Sequence, residues 1–182
     1  MKQEFKIAYL VFIFILLRRN SDFKWSELTR WQVSRKVLYV NAILILLAAF
    51  LMLGYVRVFD PGNMFNLPRA NMWLYLALCL FYPVFSAFGQ EIIYRTFLHK
   101  RYSGILPGVW KFVLASAVTF SFMHIVYYDP VSMILTFIGG LYFAINYSIT
   151  RSVLFSSVLH GIFGIMIFGV GLGQYFWLDM PV

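Results

Sequence analysis

Residues 37–59 read VLYVNAILILLAAFLMLGYVRVF, and in this stretch only Arg57 is charged. The hydrocarbon core of a bilayer is about 30 Å thick and an α-helix rises about 1.5 Å per residue, so about 20 apolar residues cross it. This run is long enough, and Asp60-Pro61-Gly62-Asn63 then breaks the helix. The whole chain shares its character. Of 182 residues, 62% are hydrophobic and 12% charged, and the mean hydropathy is +0.78. Soluble domains carry about 25% charged residues. The composition therefore excludes a soluble globule and a disordered chain, and the length leaves no room for a separate soluble domain. We expect an all-α fold, a polytopic transmembrane helix bundle, forming one integral membrane domain over residues 1–182.

Working outward, six apolar segments can be drawn: residues 5–17, 37–59, 71–99, 108–128, 131–150 and 152–177. The first is short for a crossing and either tilts through or lies in the interface. Residues 1–17 are basic then apolar, but Arg18-Arg19 follows with no small-residue cleavage site, so no cleavable signal peptide is expected. The third is longer than the hydrocarbon is thick, with Pro83 as an expected kink. Asp129-Pro130 ends the fourth, and Arg151 separates the fifth from the sixth.

The net charge is +8, yet the basic residues are not a nucleic-acid footprint. Arg18, Arg19, Lys24, Arg30, Arg35 and Lys36 share one loop, Lys100, Arg101 and Lys111 flank another, and Arg151 marks a third. If all six segments cross, these ten fall on one side, against Lys2, Lys6, Arg57 and Arg69 on the other. The positive-inside rule puts the ten in the cytoplasm. The expected partners are the lipid bilayer and a peptide or membrane-protein substrate, with no nucleic acid; the oligomeric state stays open. The lone Cys79 rules out an internal disulfide and a cysteine-based zinc site.

Ionisable side chains inside a bilayer cost several kcal/mol and mark function by default. Here they are few: Glu91 and Arg95 in the third segment, His124 in the fourth and His160 in the sixth, with Gln90 and Asn146 as neutral polar company. His99, beside Lys100 and Arg101, reads as interfacial. Glu91 and Arg95 are four apart and share a helix face, which also fits a purely structural buried ion pair. A lone histidine can simply bond a backbone carbonyl. Gln90 lies about 100° round the helix from Glu91, so the two cannot address one point. The i, i+4 pairs Phe120–His124 and His160–Gly164 complete a set distributed over three helices, which reads as a constellation.

In order, these residues form Gln90-Glu91-x-x-x-Arg95, Phe120-x-x-x-His124 and His160-x-x-x-Gly164, joined by Gly139-Gly140-Leu141, Tyr147, Thr150 and Ser152. The set resembles the CAAX-protease and bacteriocin-processing (CPBP, or Abi) family of intramembrane glutamic endopeptidases, whose pattern is Glu-Glu-x-x-x-Arg, Phe-x-x-x-His and His-x-x-x-Asn/Asp. The motif core covers about residues 86–164. The resemblance implies that the residue at position 90 activates water and His124 helps hold it. His160 and the side chain at 164 would stabilise the oxyanion, with Glu91 and Arg95 supporting, and Phe120, Gly164 and Asn146 lining the site. A carboxylate in low dielectric is a stronger base, and oxyanion donors count for more where water is excluded. The implied substrates are prenylated tails, bacteriocin leaders or C-terminal sorting signals. The implied setting is a prokaryotic inner membrane. No cofactor and no metal is assigned.

Two positions depart from the pattern. Gln90 carries an amide that cannot take a proton from water, and Gly164 has no side-chain donor. Gln90 is either an engineered silencing of a glutamate, or a natural loss, or Glu91 serves as base after a helix distortion. Arg95 argues against the last, because it stabilises the charged form of Glu91 and lowers its basicity. Beside the endopeptidase stand a non-catalytic binding, immunity or partner module on the same scaffold and, third, a metal or proton transporter using Glu91, His124 and His160. A further tension is depth. By rise per residue, Glu91 and His160 lie about 12 Å from one membrane edge and His124 about 24 Å from the start of its helix. They meet only if a helix starts deeper, tilts or breaks.

Overall fold

The computed structural model describes residues 11, 14, 15, 17–19 and 23–177. Among these, all regular structure is helical, and five helices are long and apolar enough to cross a membrane. The expected first segment, residues 5–17, lies largely outside the described residues. The chain is an integral membrane protein, and the count of five is close to the six drawn from the sequence.

Helix α1 (Arg35–Phe59) opens on Ser34, whose Oγ accepts from the Val37 amide at 3.3 Å, and stops before Pro61. A short α2 (Asn66–Ala70) leads into α3 (Met72–Tyr102). Helix α4 (Val109–Phe122) is followed by a 3-10 turn at Ile125–Tyr127. Asp129 caps α5 (Pro130–Thr150) by accepting from the amides of Val131 and Ser132 at 2.7 and 3.1 Å. Ser152 caps α6 (Val153–Val170), accepting from Phe155 N at 3.0 Å. Both caps satisfy amides that a helix start leaves unpaired. Gly171, at φ 116°, takes the left-handed conformation that ends α6, so the sixth segment stops short of its expected end at 177.

Many apolar side chains of α1 point outward: Leu46, Phe50 and Phe59 are each more than 70% exposed. Such a surface suits lipid rather than water. Between lipid-exposed helices the hydrophobic effect gives no drive to associate, so close packing and polar contacts hold them. Small residues provide the close packing. A Cβ on Gly140 of α5 would lie 2.9 Å from Ala117 Cα of α4. On α6, a Cβ on Gly161 would meet Pro83 at 3.0 Å, and one on Gly169 would meet the Tyr75 hydroxyl at 2.6 Å. Both partners sit on α3.

Polar contacts then fix α1 and the basic loop. Asn41 of α1 is buried and donates to Asn146 Oδ1 at 2.9 Å, while the Tyr142 hydroxyl donates to Asn41 Oδ1. In the loop, Glu27 pairs with Lys100 at 3.0 Å, and Ser152 Oγ donates to the Arg30 carbonyl at 2.6 Å. Arg30, Lys100 and Arg151 therefore lie at one end of the bundle, as the charge pattern requires.

Pro83 does not break α3. The helix widens there into a π-helical turn, Tyr82–Ala87, and again at Ile92–Phe97. Proline lacks an amide hydrogen and its ring crowds the preceding turn, and wider winding accommodates both. The two widened turns flank the tetrapeptide Phe88–Glu91, which carries Gln90 and Glu91, while Arg95 lies in the second widened turn.

Candidate active site

Glu91 and Arg95 have no solvent exposure. Arg95 Nε donates to Glu91 Oε2 at 2.9 Å and Nη2 to Oε1 at 3.3 Å. Arg95 Nη1 donates to Ser116 Oγ, which itself donates to the Tyr94 carbonyl at 2.8 Å. The guanidinium also lies 5.4 Å from the Phe120 ring centre and 5.9 Å from that of Phe143. A buried charge pair is tolerable only when its remaining lone pairs and protons are also met. Here they are: among the described residues no buried side-chain nitrogen or oxygen lacks a hydrogen-bond partner.

The remaining contact of Glu91 is with the third motif. His160 Nδ1 lies 3.1 Å from Glu91 Oε1. An ionised carboxylate only accepts, so Nδ1 carries the hydrogen, and when the ring is neutral its lone pair is on Nε2. The Tyr82 hydroxyl donates to that lone pair at 3.1 Å. The imidazole stacks on Phe143, with ring centres 4.8 Å apart and 17° between planes, and meets the edge of Phe120 at 5.3 Å. Glu91, His160 and Tyr82 thus form one hydrogen-bonded line from the protein interior to a cavity.

That cavity measures about 420 Å³, and its wall includes Tyr82, Gln90, Phe120, His124, His160 and Gly164. The rest is mainly apolar, with Leu47 and Leu51 of α1 on one side and Ile138 of α5 on the other. A largely apolar hollow of this size with a few converging polar groups is the usual form of a small binding site. Gln90 donates from Nε2 to Ser86 Oγ at 2.9 Å. His124 Nδ1 donates to the Phe120 carbonyl at 2.8 Å. Its ring sits 4.8 Å from the Phe120 ring, on which His160 also packs.

The expected difference in depth does not keep the three motifs apart. Helix α4 ends at Phe122, and a tight turn carries His124. The two histidines then both pack on the Phe120 ring. Gln90 and Glu91 diverge as their angular separation requires: Gln90 lines the cavity and Glu91 lies behind it. Asn146 is not on the cavity wall; it holds Asn41 and donates to the Tyr142 carbonyl at 3.0 Å. Among the described residues no three His, Cys, Asp or Glu side chains gather in a group that could hold a metal ion.

Tyr82 is the site residue that sequence reasoning passed over. A Cβ on Gly164 would lie 2.1 Å from Tyr82 Cε1 and 2.7 Å from its hydroxyl oxygen. The phenol fills the volume that a side chain at 164 would need. The bare Gly164 was the signal in the sequence, but nothing in the sequence says which aromatic residue of α3 reaches it.

A family model described as type II CAAX prenyl endopeptidase Rce1-like matches residues 71–166, just over half of the chain. No curated protein and no solved structure matches.

Proposed function

The chain belongs to the type II CAAX prenyl endopeptidase Rce1-like family, and from that premise we propose that it is an intramembrane endopeptidase. It hydrolyses a peptide bond in a peptide or in a membrane-proximal segment of a protein substrate, with water as nucleophile, inside the cavity bounded by α1, α3, α4, α5 and α6. Residues 1–182 act as one membrane domain, and a prokaryotic inner membrane is the proposed setting.

The observation that carries the reading is the 3.1 Å contact between Glu91 Oε1 and His160 Nδ1. A carboxylate behind an imidazole fixes its tautomer and stabilises the imidazolium that forms when the other nitrogen takes a proton. His160 is therefore the general base, and Glu91, oriented by Arg95, is its support. Glu91 cannot itself meet water, being fully buried with both oxygens engaged. Gln90 cannot accept the proton, but its amide presents polar atoms to the cavity where the water would sit. His124 lines the same wall and helps to hold that water.

Gln90 and Gly164 together favour one second reading, a non-catalytic module that binds the same class of peptide in the same cavity. A quenched fluorescent farnesylated CAAX peptide and an unprenylated leader peptide, offered to the purified protein in nanodiscs, separate the two. The endopeptidase reading expects turnover by the parent, loss with His160→Ala, and faster turnover with Gln90→Glu. If neither the parent nor Gln90→Glu cleaves either probe, while binding persists, the binding module takes its place.

A further inference from the structure

The neutral His160 imidazole has a single lone pair facing the cavity, and the Tyr82 hydroxyl already occupies it at 3.1 Å. Water cannot reach Nε2 without either displacing that hydroxyl or working through it. Displacement is sterically awkward. The Tyr82 ring is wedged against Gly164, with no room for even a Cβ between them, and it also meets Phe168 edge-on at 6.2 Å between centres. Tyr82 also lines the cavity alongside Gln90 and His124.

We propose that Tyr82 is a catalytic residue of this chain: its hydroxyl relays the proton from the attacking water to His160. The inference rests on the endopeptidase reading and assigns the group that touches the nucleophile. As the water oxygen bonds to the substrate carbonyl carbon, the carbonyl π pair moves onto its oxygen. The water O–H bond breaks and its proton passes to the Tyr82 oxygen. The hydrogen originally on Tyr82 passes to His160 Nε2. The tyrosine ends neutral, as it began, and the imidazolium formed is held by the Glu91 carboxylate. That proton later returns by the same hydroxyl to the leaving amine, so atoms and charge balance over the cycle. Gly164 has a positive role in this arrangement, because its missing side chain is the space in which the phenol stands.

The test uses single-turnover cleavage of the farnesylated peptide by full-length protein in nanodiscs, with Tyr82→Phe and, as control, Tyr75→Phe. Both tyrosines lie on the face of α3 that packs against α6, and only Tyr82 touches His160. Tyr82→Phe is expected to lower the cleavage rate constant by about 100-fold, within the range for a lost proton-transfer group. Substrate affinity and thermal midpoint should match the parent, and Tyr75→Phe should cleave normally. A proton inventory in mixed H2O and D2O should bow for the parent, with two protons in flight, and become linear for Tyr82→Phe. Parent-like cleavage by Tyr82→Phe, or a linear inventory in the parent, overturns the relay while leaving the endopeptidase reading intact. If the parent and Gln90→Glu cleave nothing, both fall together.

Discussion

Gly164 and Tyr82 share one side chain's worth of space: a Cβ on the glycine would sit 2.1 Å from Cε1 of the tyrosine. The contact is with the body of a ring already packed against Phe168, so it cannot be relieved by swinging a flexible tip. We expect Gly164→Ala to force Tyr82 away from His160 and to destabilise the fold by about 1–3 kcal/mol, the usual cost of overpacking. A lowered thermal midpoint in detergent would show it. In a Tyr82→Ala background, where the ring is absent, adding Gly164→Ala should cost little, so the two changes are non-additive. An unchanged midpoint for Gly164→Ala alone would mean that the ring moves freely.

The buried pair Glu91–Arg95 gives an asymmetric prediction. Removing Arg95 leaves the buried Glu91 carboxylate with only the His160 imidazole beside it. Arg95→Met should destabilise by about 3–5 kcal/mol, whereas the double variant Glu91→Leu with Arg95→Met should cost much less. Denaturation followed by tryptophan fluorescence in mixed micelles can measure both. Equal losses would show that the charges are better solvated than their zero exposure suggests.

Helix α1 covers one wall of the cavity yet places most of its surface toward lipid. Its polar anchor is Asn41, bonded to Asn146 and Tyr142. Asn41→Leu should leave the amide and hydroxyl partners on α5 unsatisfied, costing about 1–3 kcal/mol. The effect should be local, with faster amide exchange along α1 than along α6. Exchange that rises evenly across all helices would argue that Asn41 stabilises the whole fold rather than holding α1 in place.

These contacts show where the sequence was sufficient and where it was not. The i, i+4 spacing of Glu91 and Arg95 already implied a pair, and their 2.9 Å contact follows from helix geometry alone. The same geometry separated Gln90 from Glu91. Local spacing could not give the early end of α4 at Phe122, because that stretch remains apolar as far as Tyr128. Nor could it give the role of Asn146, which depends on a residue 105 positions away. Tyr82 was hidden for the same reason. Its partner lies 78 residues on, and an aromatic residue in an apolar helix reads as packing until the opposing glycine is placed against it.

Orientation in the membrane provides the last prediction. The Glu27–Lys100 pair and the Ser152–Arg30 bond tie the basic loop to the ends of α3 and α6, so the bundle has one strongly basic end. Juxtamembrane lysine and arginine are retained on the cytoplasmic side. With Cys79 replaced by alanine, single cysteines at Arg101 and Gly62 should report opposite sides. A membrane-impermeant maleimide added to intact cells is expected to label Gly62→Cys and to spare Arg101→Cys until the cells are opened. The reverse pattern would mean that the basic end faces outward. The cavity would then have to accept substrates from the other side, which would remove cytoplasmic prenylated tails from the candidates.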